Sequence, residues 1–224
     1  MDLNNKSKRN MNIFNKNMIC LELYNKFMDD SYNITDGDIK TLNSYVSEAP
    51  LKDLGDFINI VKVYSNKYRR DSLNWLDVSG ITDMSLFFYC GNKYTGDISK
   101  WDVSNVKKMA CMFTDTEFNG DIGTWDVSNV EDMGGMFINT SFNQDISEWD
   151  VSNVTNMKSM FSRSYFNRDI SQWDVSNVED MTSMFFSSAF NKDISNWDVS
   201  NVVNFKDIFD KCNIREEYKP AKFR

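Results

Sequence analysis

Carboxylates recur through most of this chain at near-constant spacing, and that is where chemistry would first be sought. One series runs Asp97, Asp121, Asp145, Asp169, Asp193, and a second runs Asp77, Asp102, Asp126, Asp150, Asp174, Asp198. Clustered carboxylates could hold calcium, a hard cation that takes oxygen ligands. Paired ones could act as acid and base in glycoside hydrolysis. Calcium is disfavoured because the glycine-rich turn of calcium-binding β-rolls is missing. Catalysis is disfavoured because the carboxylates recur alike in every unit, whereas an active site needs one asymmetric pocket. The simpler reading is that the second series caps turns and the first, facing outward, keeps a sheet edge soluble. The chain contains no histidine, which removes histidine bases, nucleophiles and metal ligands. We therefore expect no enzyme: no catalytic residues, no metal site and no cofactor.

The carboxylates belong to a longer repeat, and the repeat dictates what positions them. Trp101, Trp125, Trp149, Trp173 and Trp197 each open the string Trp-Asp-Val-Ser-Asn-Val and follow one another without insertion or deletion. A Met follows at 109, 133, 157 and 181, with Phe205 in the last place. Next come the pairs Met112-Phe113, Met136-Phe137, Met160-Phe161 and Met184-Phe185, continued by Ile208-Phe209. Phe118, Phe142, Phe166 and Phe190 are each followed by Asn, and each full unit closes on Asp-Ile. A divergent unit precedes these, with Leu76 in the Trp place and one extra residue between Phe88 and Tyr94. A single unit cannot close a core, but stacked units bury a continuous one. Each large side chain so buried contributes about 1.5–3 kcal/mol before entropy is subtracted. A repeat solenoid is therefore expected, with like side chains in register.

Within a unit, Phe-Asn-x-Asp-Ile-Ser reads as a short parallel strand with Ile inward. Met-x-x-Met-Phe, apolar at i, i+3 and i+4, reads as one helical or 3₁₀ turn. Trp-Asp-Val-Ser-Asn-Val is the turn between them.

The string Ile-Ser-x-Trp-Asp-Val-Ser-Asn-Val-x-x-Met-x-x-Met-Phe resembles the BspA-like leucine-rich repeat family, over about residues 73–212. That resemblance implies a leucine-rich-repeat solenoid, a right-handed coil that binds proteins or mediates adhesion and has no catalytic residues to carry over. Unlike bacterial surface members, this sequence shows no secretion signal, lipoprotein cysteine or wall anchor.

The expected organisation is a disordered N-terminus at 1–17, an α-helical cap at 18–72, the repeat array at 73–212 with a truncated last unit, and a C-terminal tail at 213–224. The cap rests on apolar stripes such as Ile39, Leu42 and Val46, entered through the capping sequence Thr35-x-x-Asp38. A separate binding module over the same residues is the sharper alternative. Both prolines, Pro50 and Pro220, fall outside the array, so a hydrogen-bonded ladder could run through it unbroken. Cys20, Cys90, Cys111 and Cys212 show no Cys-x-x-Cys pair and read as single thiols in a reducing compartment. No run approaches the ~20 apolar residues that cross a bilayer. A cytoplasmic place is expected over secretion.

The formal net charge of −8 opposes docking on nucleic acid or on anionic membranes. The charge concentrates in the array, whose acidic face should meet a basic protein surface. Specificity should lie where units differ from one another. On the strand these places include Gln144, Glu148, Arg168, Gln172 and Lys192, beside Asp121, Asp145, Asp169 and Asp193. In the loop they are 114–117, 138–141, 162–165 and 186–189, with Tyr165 and Arg168 foremost because Tyr and Arg are enriched in binding hot spots. The function expected is a non-catalytic, monomeric protein–protein interaction scaffold. The alternatives are an adhesin exported without a recognisable signal and a structural component of a virion or other large particle.

Overall fold

The computed structural model describes residues 72–89 and 94–224, together with Thr35, Gly37 and Lys40. Gly37 and Lys40 have helical backbone; the expected N-terminus at 1–17 and almost all of the expected helical cap lie outside the described residues. From Leu76 onward the described residues wind in six coils, the first made by 76–89 with 94–100 and the others by 101–124, 125–148, 149–172, 173–196 and 197–220. Parallel bridges join them in one line: Asp83 to Lys108, Lys108 to Asp132, Asp132 to Asn156, Asn156 to Asp180, and Asp180 to Asn204.

Beside each bridge, N–H groups at alternate residues point to the next coil. Met109, Cys111, Phe113 and Asp115 donate to the carbonyls of Asp132, Gly134, Met136 and Ile138 at 2.8–3.0 Å. The same four places repeat in each of the next three coils. Side chains return bonds in the opposite direction. The indole N–H of all five repeat tryptophans donates at 2.8–3.2 Å to a carbonyl 27 or 28 residues earlier, as Trp149 does to Ile122. Asn105, Asn129, Asn153, Asn177 and Asn201 each donate Nδ2–H to a serine carbonyl one coil back at 2.7–2.9 Å.

The core follows from the same register. In coil 125–148, Trp125, Val127, Val130, Met133, Met136, Phe137, Phe142 and Ile146 are all buried. Phe113, Phe137, Phe161, Phe185 and Phe209 stack with successive centroids 5.7 Å apart. Trp149 and Trp173 stack with centroids 6.5 Å apart and ring planes nearly parallel. Such offset stacks add to the area term. Where a hydroxyl replaces a hydrocarbon inside, it is satisfied locally: Thr116, Thr140 and Ser164 each donate to the carbonyl three residues back.

Two expectations about local structure are corrected. Phe-Asn-x-Asp-Ile-Ser is not a strand. Each Asp there takes the N–H of the residue two further on, as Asp145 does from Ser147 at 3.0 Å, which curls the backbone away from an extended ladder. Coils are instead tied here by asparagine: Asn119, Asn143 and Asn167 each accept at Oδ1 the main-chain N–H of Asn143, Asn167 and Asn191. Met-x-x-Met-Phe is neither helical nor 3₁₀. It is a run of tight turns, closed for example by Met112 N–H on Met109 O, with left-handed backbone at Cys111 and Asp115 (φ 55° and 57°) and at the equivalent places of later coils. A turn also brings residues i and i+3 together, so the apolar spacing did not discriminate.

The asparagine ladder makes a checkable demand. Asn143→Ala leaves the half-buried N–H of Asn167 without its acceptor, at an expected cost of about 1–3 kcal/mol in urea denaturation. Asn143→Asp keeps the acceptor and should retain most of that stability.

The expected end of the array at Cys212 is also corrected. Ile214 is buried in the place held one coil earlier by Phe190. Arg215 N–H donates to Asn191 Oδ1, and Ile194 N–H donates to Tyr218 O. Two single 3₁₀ turns follow, Glu216–Tyr218 and Ala221–Phe223. They set the Phe223 ring 5.1 Å from that of Phe205 and 6.3 Å from that of Phe209. A last coil has no neighbour to cover its apolar edge, and these residues cover it.

Candidate binding surface

Every described aspartate of both series is exposed and engaged in its own turn. Asp97, Asp121, Asp145, Asp169 and Asp193 each accept at Oδ1 the N–H of the residue two further on. Asp77, Asp102, Asp126 and Asp150 accept both the N–H and the hydroxyl of the following Ser. A third such series escaped the sequence reading. At the bridge, Asp83, Asp132, Asn156 and Asp180 each accept at Oδ1 the N–H of the residue two further on. Its signal was present, an Asp or Asn just before each Met, but Lys108 interrupts it. Among the described residues no group of three or more acidic or thiol side chains is arranged to hold a metal ion.

In six of these aspartates the bonds favour the ionised carboxylate. Asp97, Asp145, Asp193 and Asp198 are held below the ordinary value of 3.8, chiefly by the N–H of Ser99, Ser147, Ser195 and Ser200. In Asp102 and Asp174 the hydroxyls of Ser104 and Ser176 lead. The positive charge of Arg168 adds a smaller lowering at Asp145. A depressed folded-state pKa contributes stability that is complete above the unfolded value and is lost as pH falls through the folded one. Thermal melts should therefore show these groups' contribution undiminished above about pH 4 and declining below it. A decline confined to alkaline pH would contradict this assignment.

Of the ten residues singled out for specificity, four come together. Asp169, Gln172, Lys192 and Asp193 line one shallow groove with Asn196, between coils 149–172 and 173–196. Arg168 and Gln144 are exposed and half-buried respectively, and both are partly structural. Arg168 Nε donates to Asn143 O at 2.8 Å, and Gln144 Nε2 donates to Asn119 O at 3.2 Å. Glu148, Asp121 and Asp145 are exposed and do not line the groove. Tyr165 is 71% exposed and also lies apart from it, with its N–H bonded to Thr140 O.

The four-residue loop is not uniformly free. Thr116, Thr140, Ser164 and Ser188 point inward and are buried. The places that differ and face outward are Asp115, Asn139, Arg163 and Ser187, then Glu117, Ser141, Tyr165 and Ala189. Arg163 and Lys211 both lie over the Phe186 ring, at 5.9 and 5.2 Å. The inward hydroxyl could have been read from the sequence, since that place holds only Ser or Thr in these four units.

A family described as "Mycoplasma protein of unknown function, DUF285" matches the chain twice, over residues 58–165 and 116–219. The chain belongs to this family. DUF285 is a family of BspA-like repeats, and its match spans the six coils and the residues just before them. No curated protein and no solved structure was found to match. Among the described residues of this DUF285 chain, no helix is long and apolar enough to cross a membrane.

Proposed function

We propose that the chain is a leucine-rich-repeat solenoid that works, as a monomer, as a non-catalytic scaffold and holds a protein partner of basic surface against its acidic flank. One observation carries this reading. The buried places hold nearly the same residues in every coil, while the places that differ are mainly exposed and adjoin exposed carboxylates fixed by their own turns. An interior repeated so closely gives no coil a pocket unlike the rest. Exterior variation on a fixed frame is what recognition of one partner requires. In-register stacking of the coils supports the solenoid assignment, and membership of DUF285 agrees with it.

The test exploits the turn chemistry. Asp→Asn at 121, 145, 169 and 193 removes four charges yet keeps the Oδ1 acceptor. A protein that co-purifies with the wild-type chain from its native source, and is identified by mass spectrometry, should be lost or markedly reduced with the variant. Undiminished recovery of that same protein would defeat the acidic-flank reading. Turnover in a broad hydrolase screen, abolished by one point substitution, would defeat the non-catalytic one.

A further inference from the structure

The C-terminal edge of the stack is capped on one half only. In coils 101–124 to 173–196, four alternate N–H groups donate to the next coil. In the last coil the equivalent groups are those of Phe205, Asp207, Phe209 and Lys211, and they have no acceptor among the described residues. The acceptor half of the same edge is occupied only in part, since Val203 O, in the place of the Glu179 O that takes two N–H groups of the last coil, has no donor among the described residues. Lys222 Nζ donates to the carbonyls of Val199, Ser200 and Val202 at 3.0, 3.2 and 2.6 Å.

The open half forms one wall of a groove. Phe223, Lys219, Lys222 and Arg224 stand opposite, and Asp207 and Asp210 also contribute to its lining. Phe205 is 38% exposed and Val203, beside it, 70% exposed. The donor peptides of successive coils point the same way, so their N–H ends give this edge a partial positive charge. Residues 213–224 add four cationic side chains against two carboxylates.

We propose that this groove docks an extended acidic segment of a partner protein, whose main-chain carbonyls accept from the row Phe205, Asp207, Phe209 and Lys211. The polarity excludes pairing with the same edge of a second copy, because that would face donors with donors. Lys222 and Phe223 oppose a whole further coil, because they already hold the Ser200 carbonyl that its asparagine would need and cover the Phe205 and Phe209 rings. A short segment carrying carbonyls along one side, as each coil does toward the one before it, and carboxylates toward Arg224 and toward Lys219, which already pairs with Glu216, meets both conditions. This surface differs from the acidic flank in lining and in the sign of its charge, and adjoins it where Arg224 acts on Asp193; the two proposals use different probes, so either can fail without the other.

Amide hydrogen exchange, resolved by residue on the full chain, tests it with two probes: a blocked peptide of alternating Glu and Val, and its Lys–Val counterpart. The acidic peptide should slow exchange at Phe205, Asp207, Phe209 and Lys211 by about tenfold, the equivalent of one ordinary hydrogen bond each. The basic peptide should not, and Arg224→Glu should weaken the acidic peptide's effect. Unchanged exchange at these four amides with millimolar acidic peptide would overturn the proposal, as would equal protection by both peptides.

Discussion

Trp149→Ala is expected to lower the unfolding free energy by about 3–5 kcal/mol, the range for truncating a buried aromatic. The side chain is only 3% exposed. It stacks on Trp173 at 6.5 Å and packs 6.4 Å from Phe137. Its indole N–H donates to Ile122 O at 3.0 Å, so truncation leaves a void and removes one of that carbonyl's two donors, the other being Trp125 N–H. Trp149→Phe separates the two effects. It keeps most of the ring contact and loses the donor, for an expected loss of about 0.5–1.5 kcal/mol. Position matters as well. The coils touch only their neighbours, so a weakened central interface should uncouple the two sides and broaden the urea transition. Stability of Trp149→Ala within about 1 kcal/mol of wild type would contradict the packing described here.

The second large effect belongs to the C-terminal segment. A chain ending at Cys212 loses the buried Ile214 and Pro220 and the three carbonyl bonds of Lys222. It also uncovers the rings of Phe205 and Phe209, which Phe223 shields. Burial of one Ile contributes about 1.5–3 kcal/mol, and charged hydrogen bonds add a similar amount. A loss of about 3–6 kcal/mol is therefore expected on truncation. The exposed apolar edge should also make the shortened chain self-associate at micromolar concentration, read by light scattering. Lys222→Met keeps the aliphatic stem and removes the bonds. It should lose stability without gaining association. A truncated chain that stays monomeric and melts like the full one would show that the segment is no cap.

Most of the interior was legible because it repeats. Trp, Val, Met, Phe and Ile at fixed places in successive units can satisfy their burial only by lying over one another, and they do. What was not legible was the backbone between them. Apolar residues at i, i+3 and i+4 suit a helical turn and a chain of β-turns equally. The choice is made by the row of N–H groups at Met109, Cys111, Phe113 and Asp115, which must all reach the next coil. The supposed strand failed for a related reason, since Asp145 spends its own carboxylate on Ser147 N–H. Exposure of the aspartates was foreseen. Their grouping with Lys192 and Gln172 was not, because it joins residues of neighbouring coils through a shape that no single unit carries. The cap at 213–224 was missed because it departs from the repeat, and the repeat was the only guide.

The interfaces joining coils 101–124, 125–148, 149–172 and 173–196 use the same donors, the same acceptors and nearly the same side chains. Nothing in such an interface records which coil it belongs to. A gene that gains or loses one whole unit in frame leaves every remaining joint chemically unaltered. Overall length is thus free to drift while foldability is kept. A recombination that cuts the unit at any other spacing misaligns every bond in the ladder at once.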